Sequence, residues 1–327
     1  MTEEGRPSTR DEQARRLAES MKRQLGPSLC GILAERGLVE LMLNADGQVW
    51  ADRLGKGMAP VGTLASTAAE TFIGTVASTL RGTVTRENPI LECTLPGEPP
   101  FSGARFEAMI PPVVSAPVFT IRLKASSVFT LADYERQEIM SAAQRTAIER
   151  AIRERRNILV VGGTGTGKTT LTNAIIAGMV EAAPEHRLVI IEDTGELQCS
   201  ARNAVVLLAT DTVDMQRLLK ATMRLRPDRI IVGEVRDGAA LSLLKAWNTG
   251  HPGGASTIHA NDAEAGLVRL EQLVAEASQA PMQPVIAEAV DLIVSIAKAD
   301  NEAGRVIREI VSVRGFAGGS YQLDRME

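Results

Sequence analysis

Short runs of consecutive apolar residues recur through the second half of the chain and alternate with segments of helical periodicity. The runs fall at 158–161, 188–191, 205–208 and 230–232. Apolar positions at helical spacing predict the intervening helices at 131–139, 142–155, 168–181, 214–225, 239–248 and 263–277. Uninterrupted apolar runs are typical of strands buried on both faces, so the pattern predicts an α/β domain with a mainly parallel sheet.

The first 25 residues or so have the pattern of an amphipathic helix. One stripe is apolar, and Thr9 and Glu12 have the spacing of a capping box. Gly26 and Pro27 are expected to end the helix. The stripe consists of Ala14, Leu17, Ala18, Met21 and Leu25. Packing on its own domain is the favoured interpretation, and docking on a partner or a membrane surface is the alternative.

The region from 39 to 123 mixes strand patterns with one helix. A hairpin is predicted at 39–43 and 48–51, a helix at 63–80, and strands at 90–95, 105–110 and 118–123. This mixture predicts a smaller α+β domain. The expected divisions are an N-terminal helix over 1–25, the α+β domain over 26–123, a linker over 124–134 and the α/β domain over 135–327.

Composition excludes several classes of protein. Of the 327 residues, 44% are hydrophobic and 23% are charged, which is typical of a folded globular chain. The net charge of −4 argues against a protein that coats nucleic acid, because neutralising phosphates needs a basic surface. Three widely spaced cysteines and the lack of an apolar leader favour a reduced, cytoplasmic protein.

The most specific motif directly follows the run at 158–161. Residues 162–169 read GGTGTGKT, which is a phosphate-binding loop between a strand and a helix. Backbone N–H groups of such a loop face phosphates, Lys168 reaches the β- and γ-phosphates, and the Thr169 hydroxyl binds Mg²⁺. The predicted ATP-binding residues are Gly162, Gly163, Thr164, Gly165, Thr166, Gly167, Lys168, Thr169 and Thr170.

Two other predicted strands end in carboxylates, which hydrolysis requires near the phosphates. Glu192 and Asp193 follow the run at 188–191, and Glu234 follows the run at 230–232 after Gly233. Glu234 is the preferred catalytic acid and a candidate Mg²⁺ ligand through a water molecule. Glu192 is the candidate second acid, and which of the two is the general base stays open. For both, the alternative is a strand-end carboxylate that caps the next helix.

A lone histidine ends a further predicted strand. His259 lies in the stretch GGASTIHAND, at the sheet edge where ligands bind in α/β proteins. It is a candidate sensor of the γ-phosphate, with a purely structural hydrogen bond as the alternative. Four arginines surround the second acidic strand, and local ion pairing is favoured for them over phosphate contact: Arg224, Arg226, Arg229 and Arg236.

Together these motifs resemble the traffic ATPases of type II secretion, type IV secretion and type IV pilus machines. Residues 162–169 match the Walker A box, 191–193 the Asp box, 230–237 the Walker B box and 254–259 the His box, and the resemblance covers about 100–300. The stretches RPDRIIVGEVRDGAA and TGHPGGASTIHAND resemble the conjugal transfer members of the type IV secretion branch in particular. No tetracysteine zinc motif is present, which favours the type IV secretion or pilus-retraction branches.

The resemblance implies a fold, an assembly, partners and further site residues that the motifs alone do not. It implies a RecA-like P-loop domain over 135–327, a homo-hexameric ring, and partners among the inner-membrane components of a secretion or conjugation machine. It places Arg105 and Arg122 at the nucleotide as catalytic cations, with strand-surface ion pairing as the alternative. The implied location is the cytoplasm, with peripheral contact at the inner face of the inner membrane as an option.

The predicted function is therefore Mg²⁺-dependent ATP hydrolysis that powers such a machine. One alternative is a RecA-like DNA motor or helicase, and the net charge and the aromatic content of 3% argue against it because bases stack on aromatic rings. No stable nucleic-acid binding is expected. A pilus-retraction ATPase and a nucleotide-binding switch without turnover are the remaining alternatives.

Overall fold

The computed structural model describes residues 9–54, 56–79, 83–124, 128–210 and 212–326, with the backbone alone over 9–14. Contacts divide the chain into two units, residues 1–126 and 127–327. In the described ranges, no helix combines the length and the apolar character that crossing a bilayer requires.

Unit 1 is built on an antiparallel sheet with two helices. In chain order its elements are α1 (Thr9–Leu33), β1 (Leu38–Leu43), β2 (Gln48–Arg53), β3 (Gly57–Thr63), α2 (Ser66–Thr79), β4 (Ile90–Thr94), β5 (Arg105–Met109) and β6 (Val118–Arg122). The sheet order is β3-β2-β1-β6-β5-β4. The predicted hairpin, helix and three later strands are confirmed, and β3 is an element that the sequence analysis did not predict.

The first helix packs on its own unit. Ala18, Met21 and Leu25 are buried as predicted, and Gln24 donates to the Thr75 hydroxyl of α2 at 2.8 Å. The backbone leaves the helical conformation at Gly26, where φ is 79°, and helix then resumes to Leu33. The prediction that the helix ends here was therefore wrong, because Pro27 is tolerated in the first turn of the second segment. The proposed cap at Thr9 lies outside the described side chains.

Unit 2 is a layered α/β structure. Its elements are α3 (Leu131–Arg136), α4 (Ala142–Arg153), β7 (Ile158–Gly162), α5 (Lys168–Ala182), β8 (Leu188–Glu192), β9 (Ala204–Leu208), α6 (Met215–Thr222), β10 (Arg229–Val232), α7 (Ala239–Asn248), β11 (Ala255–His259), α8 (Ala263–Ala275), α9 (Gln283–Ala289), β12 (Leu292–Lys298), β13 (Arg305–Ala317) and β14 (Ser320–Arg325). The sheet order is β14-β13-β12-β7-β11-β10-β8-β9. The strands from β12 to β9 pair in parallel, and β13 and β14 add an antiparallel edge.

Both faces of this sheet are covered, which explains the uninterrupted apolar runs. Leu159 and Val161 face a core formed with α6 to α9, whereas Ile158 and Val160 face a core formed with α3, α4 and α5. Alternate residues of one strand thus enter different cores. The predicted α/β class with a mainly parallel sheet is confirmed. Because the parallel strands run in one direction, the ends of β7, β8, β10 and β11 share one edge.

Candidate nucleotide site

The phosphate-binding loop connects β7 to α5 at that edge of the sheet. Gly167 precedes α5 with φ of 97°, a conformation that side chains other than hydrogen rarely allow. A β-carbon at Gly162 would lie 2.5 Å from the Ile296 carbonyl oxygen and 2.6 Å from Thr166 Oγ1. The Thr166 hydroxyl donates to the Gly163 carbonyl at 3.0 Å and stabilises the turn. The glycines at 162 and 167 therefore permit the close packing and the positive φ that the loop backbone requires.

Lys168 is buried at the start of α5 and folds back over the loop. Its Nζ donates to the carbonyl oxygens of Gly162 and Gly163, both at 3.0 Å. The same Nζ lies 3.2 Å from Nδ1 of His259. These contacts hold the ammonium group above the segment where the motif predicts phosphates. Thr169 and Thr170 follow on the first turn of α5, half-buried, while Thr164 is exposed.

Glu234 lies next to the histidine. Its Oε1 is 3.1 Å from Nε2 of His259, and its Oε2 accepts from Arg236 at 2.9 Å. Arg236 also pairs with Asp193 at 2.9 Å, and the hydrogen bond to Glu234 is the main reason that the pKa of Arg236 is raised. Contacts thus connect Lys168 to His259 and His259 to Glu234. Arg236 then connects Glu234 to Asp193.

The ring of His259 bridges a cation and an anion, and this geometry assigns its tautomer. Nζ of Lys168 is 3.2 Å from Nδ1 and 3.4 Å from Nε2, and Nε2 is 3.1 Å from Glu234. Because an ammonium group only donates and a carboxylate only accepts, we assign Nδ1 as the acceptor and place the proton on Nε2. Burial lowers the pKa of His259, the charge of Lys168 lowers it further, and the charge of Glu234 opposes both effects. The surroundings therefore favour the neutral form of the imidazole.

Glu192 ends β8, and its environment differs from that of Glu234. Its side chain is buried, and Oε2 accepts from the backbone N–H groups of Glu196 at 2.7 Å and Leu197 at 2.8 Å. Its Cγ lies 3.2 Å from where a β-carbon of Gly233 would be, so glycine at this position admits the carboxylate. No helix begins at residues 196–197, so the carboxylate does not cap a helix and instead holds the loop that follows β8.

The arginines near β10 have separate roles. Arg236 forms the ion pairs that the sequence analysis favoured. Arg229 is buried and donates to the carbonyl oxygens of Gly253 and Ile152, both at 2.9 Å, rather than to a carboxylate. Burial lowers the pKa of Arg229 to about 10. Arg229 therefore links β10 by hydrogen bonds to α4 and to the segment before β11, at the edge of the sheet opposite the loop.

Arg105 and Arg122 belong to unit 1, where the structure brings them together. They lie directly opposite each other in the register of β5 and β6. Like charges in opposed positions of a ladder repel each other, so an anion close to the pair would stabilise it. On the other flank, Glu40 of β1 is the register partner of Arg122. Their contribution to the nucleotide site stays the prediction that the resemblance gives.

A cavity of about 460 Å³ opens beside the loop on the side of His259. Gly163, Thr164 and His259 line one wall, and Val268 and Arg269 of α8 line another. The carboxyl ends of β7 and β11 therefore face this open cavity, whose lining mixes polar and apolar side chains. No sequence motif marks Arg269, because only the packing of α8 brings this residue to the loop.

The comparisons with known proteins identify the family. A family model described as "Type II/IV secretion system protein" matches residues 65–310, which is most of the chain. The chain belongs to this family. The resemblance drawn from the four boxes is thereby confirmed for the type II/IV secretion system proteins.

Two relatives indicate which branch of the family this chain resembles. A probable conjugal transfer protein TrbB from Sinorhizobium fredii is 56% identical over 309 residues, covering 94% of this chain and 93% of the relative. A type IV secretion system protein VirB11 from Bartonella henselae is 30% identical over 287 residues, covering 75% of this chain and 78% of the relative. These relatives confirm the predicted likeness to conjugal transfer proteins of the type IV secretion branch.

A solved structure supports the fold. The ATPase DotB from Legionella pneumophila superposes with a TM-score of 0.61 at 18% identity, covering 95% of this chain and 83% of that chain. The predicted combination of an α+β N-terminal part with a RecA-like P-loop domain is thus confirmed for this type II/IV secretion system protein.

Proposed function

We propose that this protein hydrolyses ATP at the loop of residues 162–170 and thereby powers a conjugal transfer or related type IV secretion machine. The observation that carries the proposal is the contact series from Lys168 through His259 to Glu234, with spacings of 3.2 Å and 3.1 Å. It joins the residue type that binds phosphate to the residue type that activates water. The names of the relatives, conjugal transfer protein TrbB and type IV secretion protein VirB11, support the wider role.

The donor groups of the site fit Mg²⁺. This cation prefers oxygen ligands, usually one or two carboxylates or hydroxyls together with phosphate oxygens. Thr169 supplies a hydroxyl beside Lys168, and Glu234 supplies a carboxylate whose side chain is 16% exposed. These residues would hold the ion, Thr169 directly and Glu234 through a water. When bound, Mg²⁺ neutralises charge on the β- and γ-phosphates.

The residues of the chain have distinct roles in the proposed reaction. The ammonium group of Lys168 turns from the loop carbonyls to the β- and γ-phosphates. Glu234 accepts a proton from the attacking water, whose oxygen forms a bond to the γ-phosphorus while the bond to the β–γ bridging oxygen breaks. His259 donates to Glu234 and so orients its free lone pairs. The products are ADP and inorganic phosphate, and Glu234 then releases the proton to the phosphate or to solvent, which restores the carboxylate.

The remaining parts of the proposal rest on the resemblance and on the relatives. They are a homo-hexameric ring in the cytoplasm, inner-membrane machine components as partners, and Arg105 and Arg122 as cations that stabilise the transferring phosphoryl group. Glu192 remains a candidate assisting acid, although its bonds to the backbone of 196–197 favour a role in holding the loop after β8.

The test is ATP turnover by the purified full chain, measured with Mg²⁺ and with excess chelator. The wild type is expected to release phosphate only with Mg²⁺, and both Lys168→Ala and Glu234→Gln are expected to lose turnover by roughly 100-fold or more. Glu276→Gln, an exposed acid after α8, is the matched control and keeps full turnover. Unchanged turnover in both site variants would contradict the proposal, and strong stimulation by single-stranded DNA would favour a DNA motor.

A further inference from the structure

The C-terminal hairpin of β13 and β14 contacts the start of α8 through a largely buried acid. Glu309 of β13 accepts from the backbone N–H of Ala263 through Oε1, at 2.9 Å, and from Arg325 of β14 through Oε2. Arg325 also pairs with Glu264 at 2.6 Å. The side chain of Glu309 is 18% exposed and that of Arg325 is 52% exposed. Glu309 is therefore the member of this group that is held most firmly by its surroundings.

This acid supplies one of the two side-chain caps of α8. The first N–H groups of a helix have no partner within the helix. Asp262 accepts from the N–H of Ala265 at 2.8 Å, and Glu309 accepts from the N–H of Ala263. A carboxylate at this end of a helix also interacts favourably with the helix dipole. A residue of β13 thus completes the cap that Asp262 begins.

The capped residue lies shortly after His259 in the chain. Before His259, the hydroxyl of Thr257 donates to the carbonyl of Gly233 at 2.8 Å and fixes β11 against the end of β10. Residues 260 and 261, which follow the histidine, make no hydrogen bond to other described residues. The next fixed point of the backbone is therefore Ala263, whose partner is the carboxylate of β13.

We infer that Glu309 is a positioning residue for the proposed hydrolysis, on which this inference rests, and that it acts on His259 through Ala263. Its own partners are Ala263 and Arg325, so it lies outside the reacting groups. By fixing the end of the segment that follows β11, it keeps Nε2 of His259 at 3.1 Å from Glu234. A misplacement of about 1 Å in such a group lowers a rate by up to about 100-fold.

The first test is ATP turnover by full-length variants. Glu309→Ala is expected to lower kcat about tenfold and to leave the Kd for Mg·ADP within about threefold, because the loop of residues 162–170 is unchanged. Glu309→Gln is expected to keep kcat within about twofold of the wild type, because its amide oxygen still accepts from Ala263. The matched control is Asp324→Ala, an acid of the same hairpin whose partner is the exposed Arg314, and it keeps wild-type kcat.

A double variant separates positioning from a general loss of structure. If Glu309 acts through His259, adding Glu309→Ala to His259→Ala lowers kcat no further, since coupled residues are not additive. A further loss of about tenfold in the double variant overturns the inference, because independent effects add.

A spectroscopic readout needs no nucleotide. The chain has three histidines, so the ring resonances of the full-length protein labelled with ¹³C-histidine can be assigned by single substitutions. Glu309→Ala is expected to shift the resonances of His259 and to leave those of His186 and His251 in place. Unchanged resonances of His259 in folded Glu309→Ala overturn the inference and leave the proposed ATPase intact.

A shorter acid keeps the test decisive if Glu309→Ala loses its cooperative thermal transition. Glu309→Asp withdraws the carboxylate from Ala263 by one methylene. A loss of kcat of about tenfold in Glu309→Asp, with near wild-type kcat in Glu309→Gln, supports the inference. Wild-type kcat in Glu309→Asp, or an equal loss in the two variants, overturns it. If the wild type releases no phosphate from ATP, the proposed function fails, and the resonances of His259 still show whether Glu309 positions the ring.

Discussion

The imidazole Nε2 of His259 lies 3.1 Å from the carboxylate Oε1 of Glu234, although His259 ends β11 and Glu234 follows β10. The other ring nitrogen, Nδ1, lies 3.2 Å from the ammonium group of Lys168. A neutral histidine with its proton on Nε2 satisfies both neighbours. Removing His259 therefore takes a hydrogen-bond partner from both Lys168 and Glu234.

The bridging position of His259 predicts a kinetic effect of its removal. His259→Ala leaves Glu234 without the donor that orients it, and misplaced catalytic groups lower rates by roughly 10- to 100-fold. We expect kcat for ATP hydrolysis to fall by that amount, while the Kd for Mg·ADP changes by less than about threefold. Phosphate-release kinetics and calorimetry measure the two quantities.

A matched histidine gives the control for this experiment. His251 precedes β11 and thus lies at the opposite end of the strand from His259. His251→Ala is expected to keep wild-type kcat. Equal kcat in His259→Ala and the wild type would contradict a positioning role for the bridge.

Arg236 is predicted to affect catalysis more than stability. Its ion pairs with Glu234 and Asp193 involve a side chain that is 51% exposed, and pairs of this kind contribute only about 0–1 kcal/mol to folding. Arg236→Ala is expected to lower kcat roughly tenfold because Glu234 loses its second partner, with a change of less than about 1 kcal/mol in the free energy of unfolding.

An exposed pair elsewhere in unit 2 serves as the control for Arg236. Arg314 contacts Asp324 at 2.9 Å on the β13–β14 hairpin. Arg314→Ala is expected to have a similarly small effect on stability and none on kcat. If both arginine variants retain wild-type turnover, the carboxylate of Glu234 does not need Arg236.

Asn157 is predicted to be a stability determinant beneath the sheet edge opposite the loop. The buried side chain accepts from the N–H groups of Gly253 and Gly254 at 2.8 and 3.0 Å, and donates to the Ala289 carbonyl at 2.8 Å. Asn157→Ala leaves three buried backbone groups without partners. We expect a loss of about 2–4 kcal/mol in the free energy of unfolding, measured by urea denaturation.

The control for Asn157 uses another asparagine in an exposed setting. Asn248 donates to Glu288 at 3.0 Å near the surface, and Asn248→Ala is expected to change the free energy of unfolding by less than about 0.5 kcal/mol. A similar loss of unfolding free energy in Asn157→Ala and Asn248→Ala would contradict the prediction that burial makes the hydrogen bonds of Asn157 more stabilising.

Cys93 on β4 predicts a pH-dependent property of unit 1. Burial raises the pKa of this thiol from 9.0 to about 12, so the folded protein keeps a proton that the unfolded chain releases. Stability from this group is complete below pH 9 and is lost as the pH rises from 9 toward 12. Urea denaturation at pH 8 and pH 10 is expected to show a smaller loss in Cys93→Ala than in the wild type. An identical loss in the two proteins would contradict burial of the thiol.

Much of the fold follows from periodicity because most core strands are apolar throughout. The runs before Lys168 and Glu234 predicted β7 and β10 closely, since both faces of these strands are buried. β3 was missed because its residues are mainly exposed, and it contains glycine and proline. The edge strands β13 and β14 alternate apolar and polar residues, which is a weaker signal than a continuous run.

The sequence predicted the residues of the candidate site but not how they are arranged in space. Motifs placed Lys168, Glu234 and His259 at strand or helix ends. Only the strand order, with β11 between β7 and β10, brings the histidine between the other two. Glu309 carries no motif, because its contact with Ala263 depends on the packing of β13 beside the start of α8.

Calorimetric titration of Mg·ADP into the intact wild type and into Lys168→Ala measures whether the loop of residues 162–170 binds a nucleotide. We expect a saturable heat with a single site per chain for the wild type, and at least about 100-fold weaker binding for Lys168→Ala because the ammonium group is lost. No heat in the folded wild type, or equal affinity in the two proteins, would contradict a nucleotide site at this loop.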